Sequence, residues 1–168
     1  GGCAKVQESG RLGSGGAGGP GSGTGGSGGF MVPTPVTCER CTDFPSTPII
    51  DEGAPPNAPD MFPGNPPAPG AGPCVTEPED DTLFPNNWLR PRVKFSGGNG
   101  NLVRITMSAP NQENTLTVYT KKDNWALDKA IWNNLRFHQT KDYVTVNVWV
   151  QNGGSSEVRF RTAPVGAG

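Results

Sequence analysis

The stretch DYVTVNVWVQ, residues 142–151, is the clearest secondary-structure signal in the chain. Valine stands at every second position, and Trp149 lies among the polar residues that separate the valines. An alternation with a period of two residues is typical of a β-strand that has one apolar face. The residues of that face are Val144, Val146, Val148 and Val150. The stretch therefore predicts a strand that contributes its valine face to a sheet core.

The same period of two recurs in short segments that precede and follow this strand. Segments 90–96, 102–109, 115–120 and 157–163 read RPRVKFS, LVRITMSA, TLTVYT and EVRFRTA, and segment 82–87 reads TLFPNN. Turn-forming stretches such as GGNGN, PNQEN and NGGSS separate them. About six or seven short strands with turns between them are typical of a single antiparallel β-sandwich, so the predicted fold class is all-β.

One segment, DNWALDKAIWNNL, breaks the alternation. Leu127, Ile131 and Leu135 recur in it at every fourth position, which is the spacing of one face of an α-helix. Asp123 or Asn124 offers a side chain that is suited to cap the first turn. The sequence therefore predicts one short helix within the β-rich region.

Composition divides the chain into four regions. Gly and Ser dominate residues 1–30, Pro dominates residues 31–77, and the alternating pattern fills residues 78–165. These regions predict a long irregular N-terminal arm, a Pro-rich extended strap that contains cysteines, and one sandwich of about 85–90 residues. Residues 166–168 are interpreted as a linker or the end of a fragment.

The predicted strap carries apolar residues that a pure spacer would not need. Proline favours an extended backbone, so we interpret these side chains as anchors that pin the strap to its own domain or to a neighbouring one. The alternative is a polyproline stalk with scattered apolar residues. The candidate anchors are Met31, Val32, Val36, Phe44, Ile49, Ile50, Met61 and Phe62.

Four tryptophans are many for a core of this size. Trp132 is expected to pack under the helix, whereas Trp149 lies on the outward face of its strand and Trp88 precedes a strand. Outward tryptophans mark protein interfaces or carbohydrate platforms, and they also pack well against proline rings. A sugar, a subunit interface and cover by the strap are therefore open alternatives for Trp88 and Trp149.

The cysteines, Cys3, Cys38, Cys41 and Cys74, all precede the predicted sandwich. Four cysteines allow three pairings, and we expect two structural disulfides in an exported protein. The CERC spacing of Cys38 and Cys41 also matches a redox pair, but the flanking prolines prevent the helix that a thioredoxin-type pair needs. A zinc site with four thiolates and a lipidated Cys3 are further alternatives.

Residues with catalytic or metal-binding chemistry are few. His138 is the one histidine, in the polar segment NLRFHQTKD, and we expect it to be a solvent-facing loop residue. The sequence has no GxSxG or Cys–His signature. The acidic segment from Glu77 to Asp81, EPEDD, lacks the pattern of a calcium loop and is interpreted as a solvated linker. We therefore expect no enzyme activity, no cofactor and no metal site.

Composition also narrows the partners and the compartment. A net charge of −1 gives no basic surface that would track phosphates, so nucleic acid is not an expected partner. No apolar run approaches the roughly 18–20 residues that cross a bilayer. The chain begins without a signal peptide, so an extracellular or cell-surface location implies that a leader was removed or that the sequence starts within a longer protein.

The order of these features resembles the fibronectin type III and immunoglobulin-like families over residues 78–165. The features are a first strand that ends in Phe-Pro, a helical corner with a leucine, Tyr143 at the start of the strongest strand, and a final hairpin. The resemblance implies that Tyr143 is a corner tyrosine. The chain departs from these families in the long gap between Leu135 and Tyr143, and in Phe95, where tryptophan is common. Gly/Pro-rich leaders are similar to those of bacterial secreted and surface proteins.

An exposed strand edge invites pairing with another chain, and here a long arm precedes the sandwich. An arm that lies on the next subunit makes a head-to-tail contact, which repeats into a filament. The leading hypothesis is therefore an exported structural protein that self-associates through its arm as the repeating subunit of an extracellular filament or surface layer. The alternative is an adhesion or carbohydrate-binding module of a larger secreted protein or lipoprotein, in which Trp149 or Trp88 contacts the ligand.

Overall fold

The computed structural model describes Cys3 and residues 38–165. The described residues form nine strands, one α-helix, α1 (Lys129–His138), and one 3-10 helix (Ala58–Met61). The strands are β1 (Ile49–Ile50), β2 (Cys74–Glu77), β3 (Thr82–Phe84), β4 (Arg92–Ser96), β5 (Val103–Ser108), β6 (Leu116–Thr120), β7 (Asn124–Ala126), β8 (Val144–Val150) and β9 (Ser155–Thr162).

The strands form two sheets whose buried side chains meet in one core. The larger sheet has the order β1-β6-β5-β8-β9-β3, and the smaller sheet has the order β2-β4-β7. Neighbouring strands are antiparallel except at the two edges of the larger sheet, where β1 pairs with β6 and β3 pairs with β9 in parallel. The predicted all-β sandwich is confirmed, with these two parallel pairings as additions.

Strand β8 is an interior strand of the larger sheet and buries both of its faces. Val148 lies opposite Ile105 of β5 and Ser156 of β9 in the register of the sheet. The predicted valine face points into the main core. The opposite face is also buried, because Trp149 is only 9% exposed under the Pro-rich strap. Valine and other residue types alternate along the strand, but both faces of the strand are covered by protein.

Helix α1 starts later than the sequence predicted. Its N-cap is Asp128, whose side chain accepts a hydrogen bond of 2.7 Å from the backbone N–H of Ala130. The prediction that Asp123 or Asn124 caps the helix is wrong, because residues 124–126 form β7 and pair with β4. Trp125 is buried in that pairing, so core packing takes this segment into the sheet.

The side chains of α1 pack at the β3–β9 edge of the larger sheet. The ring of Trp132 lies 6.0 Å from that of Phe84, and the ring of Phe84 lies 5.3 Å from that of Phe160. Edge-to-face packing of this kind stabilises the fold beyond what the buried apolar area alone contributes. Trp132 therefore packs under the helix, as the sequence predicted.

The Pro-rich strap packs on the domain of its own chain. Phe44 is 0% exposed and belongs to the main core. Ala58 and Phe62 form a second buried cluster with Tyr119 and Trp149 on the outer face of the larger sheet. The strap also contributes β1 and β2 to the two sheets. Residues 38–77 therefore complete the sandwich instead of leading up to it as a stalk.

Several sequence-based expectations concern residues outside the described part of the chain. These are the arm at residues 1–30 apart from Cys3, the anchors Met31, Val32 and Val36, and the end at residues 166–168. Within the described part, no helix has the length and apolar character that a membrane span requires.

Candidate functional site

An open groove of about 820 Å³ lies beside the loop that joins β3 to β4. We call it the Trp88 groove, because Trp88 is 49% exposed there and the adjacent Leu89 is 87% exposed. Large apolar side chains exposed side by side mark an interaction site more often than scattered ones do. The residues that line the groove include Phe84, Pro85, Trp88, Leu89, Arg90 and Arg92.

Hydrogen bonds hold the groove loop to helix α1. The indole N–H of Trp132 donates to the backbone oxygen of Trp88 at 2.8 Å. Asn86 and Arg136 exchange two hydrogen bonds, from the Asn86 amide to the Arg136 carbonyl at 3.2 Å and from the Arg136 guanidinium to the Asn86 carbonyl at 3.1 Å. The ring of Phe84 supports the Trp88 ring from 6.0 Å. The loop is thus pre-organised while it presents Trp88 to solvent.

An ion pair forms one wall of the groove. Arg92 donates from Nη2 to Oε1 of Glu77 at 3.1 Å and from Nε to the other carboxylate oxygen. The hydrogen bonds from Arg92 hold the pKa of the Glu77 carboxyl below its usual range, and the charge of Lys94 acts in the same direction. Arg90 also lines this groove, so the two arginines give the wall more hydrogen-bond donors than the Glu77 carboxylate has acceptors.

We expect Arg92→Ala to move the pKa of Glu77 upward into its ordinary range. The lowered pKa means that the folded state favours the ionised carboxylate. Its contribution to stability is therefore present at neutral pH and is lost as pH falls through the lowered value. NMR titration of the Glu77 side-chain carboxyl measures the change. Arg90→Ala is the control, since Arg90 makes no hydrogen bond to Glu77 and should leave the titration unchanged; an unchanged titration in Arg92→Ala would contradict the assignment.

The other candidate interface residues lie away from the Trp88 groove. The Phe62 ring covers Trp149 edge-on at 5.1 Å, and the Arg104 guanidinium lies 4.7 Å from the Trp149 ring. Of the three alternatives for Trp149, a sugar site, a subunit interface and cover by the strap, the structure therefore shows cover by the strap. The Trp149 ring is not open to a sugar. Phe44 is fully buried, Ile49 and Met61 are partly buried, and Ile50 is exposed.

All four cysteines are paired. Cys3 is bonded to Cys74 of β2, and Cys38 is bonded to Cys41. With the sulfurs in disulfides, no free thiolates are left for the four-thiolate zinc site, and Cys3 has no thiol left for a lipid. Two disulfides are typical of an oxidising compartment.

His138 is the last residue of α1 and is mostly buried. Its Nδ1 lies 2.7 Å from Oδ2 of Asp43, and Gln112 donates to the same oxygen at 2.7 Å. The expectation that His138 is a solvent-facing loop residue is wrong, because the strap brings a buried carboxylate to its ring. Asp43 is 95 positions away in sequence, so no local pattern could indicate the pair.

The His138 ring also lies beside the CERC disulfide. One of its ring nitrogens and the sulfurs of Cys38 and Cys41 lie within 4.8 Å of one another. We call Cys38, Cys41, Asp43 and His138 the CERC cluster. The CxxC spacing of Cys38 and Cys41 is the sequence signal that points to this cluster, although the flanking prolines argue against a thioredoxin-type pair.

Two carboxylates of the acidic segment, those of Glu77 and Asp81, form ion pairs with arginines. Arg159 donates from Nε to Asp81 at 2.7 Å, and its backbone N–H donates to Asp80 at 3.1 Å. The hydrogen bond from Arg159 lowers the pKa of Asp81. Tyr143 lies under Arg159, whose guanidinium carbon is 4.4 Å from the ring centroid. Because Asp80 and Asp81 directly precede β3, their hydrogen bonds with Arg159 fasten the start of β3 to β9.

Comparison of the chain with protein-family models, with curated proteins and with solved structures gives no match.

Proposed function

We propose that the protein is an exported structural protein that self-associates into an extracellular filament or surface layer. In this proposal, residues 31–36 of one copy, MVPTPV, bind in the Trp88 groove of the next copy. The observation that carries the proposal is the groove itself, in which Trp88 and Leu89 are exposed on a loop that is fixed to helix α1.

The groove is chemically suited to a proline-rich occupant. Proline-rich segments bind grooves lined by aromatic rings, because their extended backbone loses little conformational freedom on binding. Residues 31–36 contain two prolines, apolar side chains and no charge. Trp88 and Phe84 supply the aromatic wall, and the Arg90 guanidinium supplies donors for the carbonyls of an extended chain.

The protein already binds a proline-rich segment of its own on an aromatic surface. Residues 54–62, APPNAPDMF, lie over Tyr119 and Trp149 of the larger sheet. The Phe62 ring contacts both of these rings, at 5.6 Å and 5.1 Å between centroids. Trp88 offers a second surface of the same chemistry that the described residues leave open.

Residues 31–36 and the Trp88 groove are different surfaces, so a contact between them is heterologous. A heterologous contact closes into a ring or repeats as an open filament, according to the rotation between copies. Segment 4–37 is joined to the described domain at both ends, through the Cys3–Cys74 disulfide and through Cys38. The occupant would therefore reach the next copy as a loop and not as a free tail.

The strand order supports assigning the sandwich to the immunoglobulin-like or fibronectin type III type. In the immunoglobulin constant type the first, second, fourth and fifth strands form one sheet, whereas in the fibronectin type III arrangement the fourth strand lies in the other sheet and the first, second and fifth remain together. If β2 is the first strand, β4 the second and β7 the fifth, the smaller sheet of this chain has that composition. The larger sheet then contains the order expected for the second sheet, β6-β5-β8-β9. Modules of this type serve many unrelated functions, so the assignment does not specify a partner. Export is supported instead by the two disulfides.

We expect the wild-type chain to form species larger than a monomer as its concentration rises, and Trp88→Ala to weaken that association at least about tenfold. The reason is that a tryptophan at the centre of an interface contributes about 2 kcal/mol or more. Sedimentation velocity over a range of concentrations measures the association, and thermal unfolding checks that the variant is folded.

Leu83→Ser is the matched control for this experiment. Leu83 is 50% exposed, like Trp88, but does not line the groove. Its variant should associate like the wild type. Dispersed wild-type monomers at high concentration, or equal weakening by both variants, would contradict the proposal.

The same groove supports the alternative of a carbohydrate-binding or adhesion module. Trp88 is open and lies beside Asn87 and Arg90, a combination of aromatic face and polar donors that sugars use. Glycan-array binding by a monomeric protein, lost in Trp88→Ala and kept in Leu83→Ser, would favour this alternative over self-association.

A further inference from the structure

The Cys38–Cys41 disulfide closes a very small ring. Its cysteines are 3 positions apart, whereas those of the Cys3–Cys74 disulfide are 71 positions apart. In the chain-entropy description, the stabilisation from a disulfide grows with the length of the loop that it closes. The Cys38–Cys41 bond therefore restricts the unfolded chain much less than the Cys3–Cys74 bond does, and stabilisation is a weak reason for its presence.

The two sulfurs of this bond have different surroundings. Cys38 is half-buried and Cys41 is buried, so Cys38 is the more accessible of the two residues. The side-chain amide nitrogen of Asn111 lies 3.7 Å from Sγ of Cys41 and donates toward it. A donor that faces a sulfur favours the thiolate over the thiol. Cys41 is thus suited to be the leaving group when Cys38 is attacked.

His138 supplies a proton-transfer group next to this bond. A ring nitrogen of His138 and both sulfurs lie within 4.8 Å of one another. Its Nδ1 lies 2.7 Å from Oδ2 of Asp43, and because a carboxylate oxygen only accepts hydrogen bonds, this contact favours the tautomer with its hydrogen on Nδ1 and leaves Nε2 to exchange protons. Asp43 is held in place by Gln112, whose amide donates to it at 2.7 Å. An imidazole oriented by a buried carboxylate is a recurring arrangement in acid–base chemistry at sulfur and oxygen.

The backbone around Cys41 is held without help from the disulfide. The Cys41 N–H donates to the carbonyl of Asn111 at 2.6 Å, and the Cys41 carbonyl accepts from the N–H of Glu113 at 2.8 Å. Phe44, three positions further on, is buried in the main core. Opening the bond between Cys38 and Cys41 therefore leaves the strap attached to the sandwich.

We propose that Cys38–Cys41 is a thiol–disulfide exchange site that reacts with external dithiols, and that His138 transfers the protons of the exchange. The reaction is stoichiometric and needs no substrate pocket. It is independent of the proposed assembly, because the CERC cluster and the Trp88 groove share no residue.

The exchange balances in two steps. In the first, a thiolate of the dithiol attacks Sγ of Cys38, the Cys38–Cys41 bond breaks, and Cys41 leaves as a thiolate that takes the proton from Nε2 of protonated His138. In the second, the other thiol of the dithiol gives its proton to His138 and attacks the mixed disulfide. Cys38 is released and takes a proton from water. The dithiol leaves oxidised, and two electrons have passed to the protein.

The experiment is reduction of the folded full-length chain by dithiothreitol, with timed alkylation and mass spectrometry of each cysteine. The Cys3–Cys74 disulfide is the internal control, because Cys3 is exposed and simple access would make that bond the more reactive one. We expect Cys38–Cys41 to open at least about tenfold faster than Cys3–Cys74. We expect His138→Gln, which keeps a donor for Asp43 but cannot transfer the proton, to slow the first reaction about tenfold or more and leave the second unchanged.

The rate of the Cys3–Cys74 reaction also shows whether a variant is folded, because unfolding would accelerate both reactions together. Asp43→Asn is the second variant and should slow only the Cys38–Cys41 reaction. The proposal is overturned if Cys38–Cys41 opens no faster than Cys3–Cys74, or if His138→Gln reacts at the wild-type rate. It is also overturned if the reduced pair and His138 hold zinc so firmly that alkylation requires a chelator.

Discussion

Phe44→Ala is expected to lower the free energy of unfolding by about 3–5 kcal/mol. The Phe44 side chain is 0% exposed and packs in the main core with residues of both sheets. Removing a buried ring loses its transfer free energy and leaves a cavity that the surrounding core fills only in part. Asn114 also donates to the Phe44 carbonyl at 3.1 Å, so the backbone is held and cannot collapse freely into the space. Denaturant unfolding measures the loss.

Ile50→Ala is the matched control for Phe44→Ala. Ile50 belongs to the same strap but is 38% exposed, so its truncation should cost about 1 kcal/mol or less. A loss at Phe44 no larger than the loss at Ile50 would contradict the account of the strap as part of the core. The comparison matters because the sequence placed the whole of residues 31–77 outside the sandwich.

The second large effect is expected from the Cys3–Cys74 disulfide. Replacing both cysteines with serine should lower the free energy of unfolding by about 4 kcal/mol, because the bond closes a loop of 71 positions. Cys3 is exposed and Cys74 is half-buried, so serine at these positions disturbs little packing and the loss reports on the cross-link. Denaturant unfolding under non-reducing conditions measures it.

Thr76→Ser is the control for the serine variant. Thr76 is exposed on β2 beside Cys74, and its substitution should change stability by less than about 0.5 kcal/mol. A loss below about 1 kcal/mol in the double serine variant would show that this cross-link does not restrain the unfolded chain as the entropy description requires.

Local sequence pattern was enough to find the strands with clear alternation. In β4 and β5 the burial of alternate residues follows the period-two pattern, because each strand presents one face to the core. Strand β8 alternates in chemistry but not in burial, because the strap covers its second face. Strand β7 was missed because its three residues are too few to establish a period of two. It forms through pairing with β4, in which Trp125 lies opposite Val93, and such pairing between distant segments leaves no local signal.

The candidate sites depend even more on contacts between distant segments. Trp88 could be proposed as an interface residue from the sequence, but its exposure depends on the hydrogen bond from Trp132 and the support of Phe84. The outward face of Trp149 could be predicted, and its cover by Phe62 could not. The proximity of His138 to Asp43 follows from the path of the strap across the sandwich, which proline content alone does not specify.

Cross-linking between isotopically different copies tests the central claim most directly. A photo-reactive benzoylphenylalanine replaces Trp88 in a ¹⁵N-labelled chain, which is mixed with unlabelled wild-type chain and irradiated, and mass spectrometry identifies the joined peptides. The account predicts mixed-isotope pairs that join position 88 to residues 31–36, because the occupant of the groove comes from another copy. Pairs within one copy only, or no pairs to residues 31–36, would contradict it.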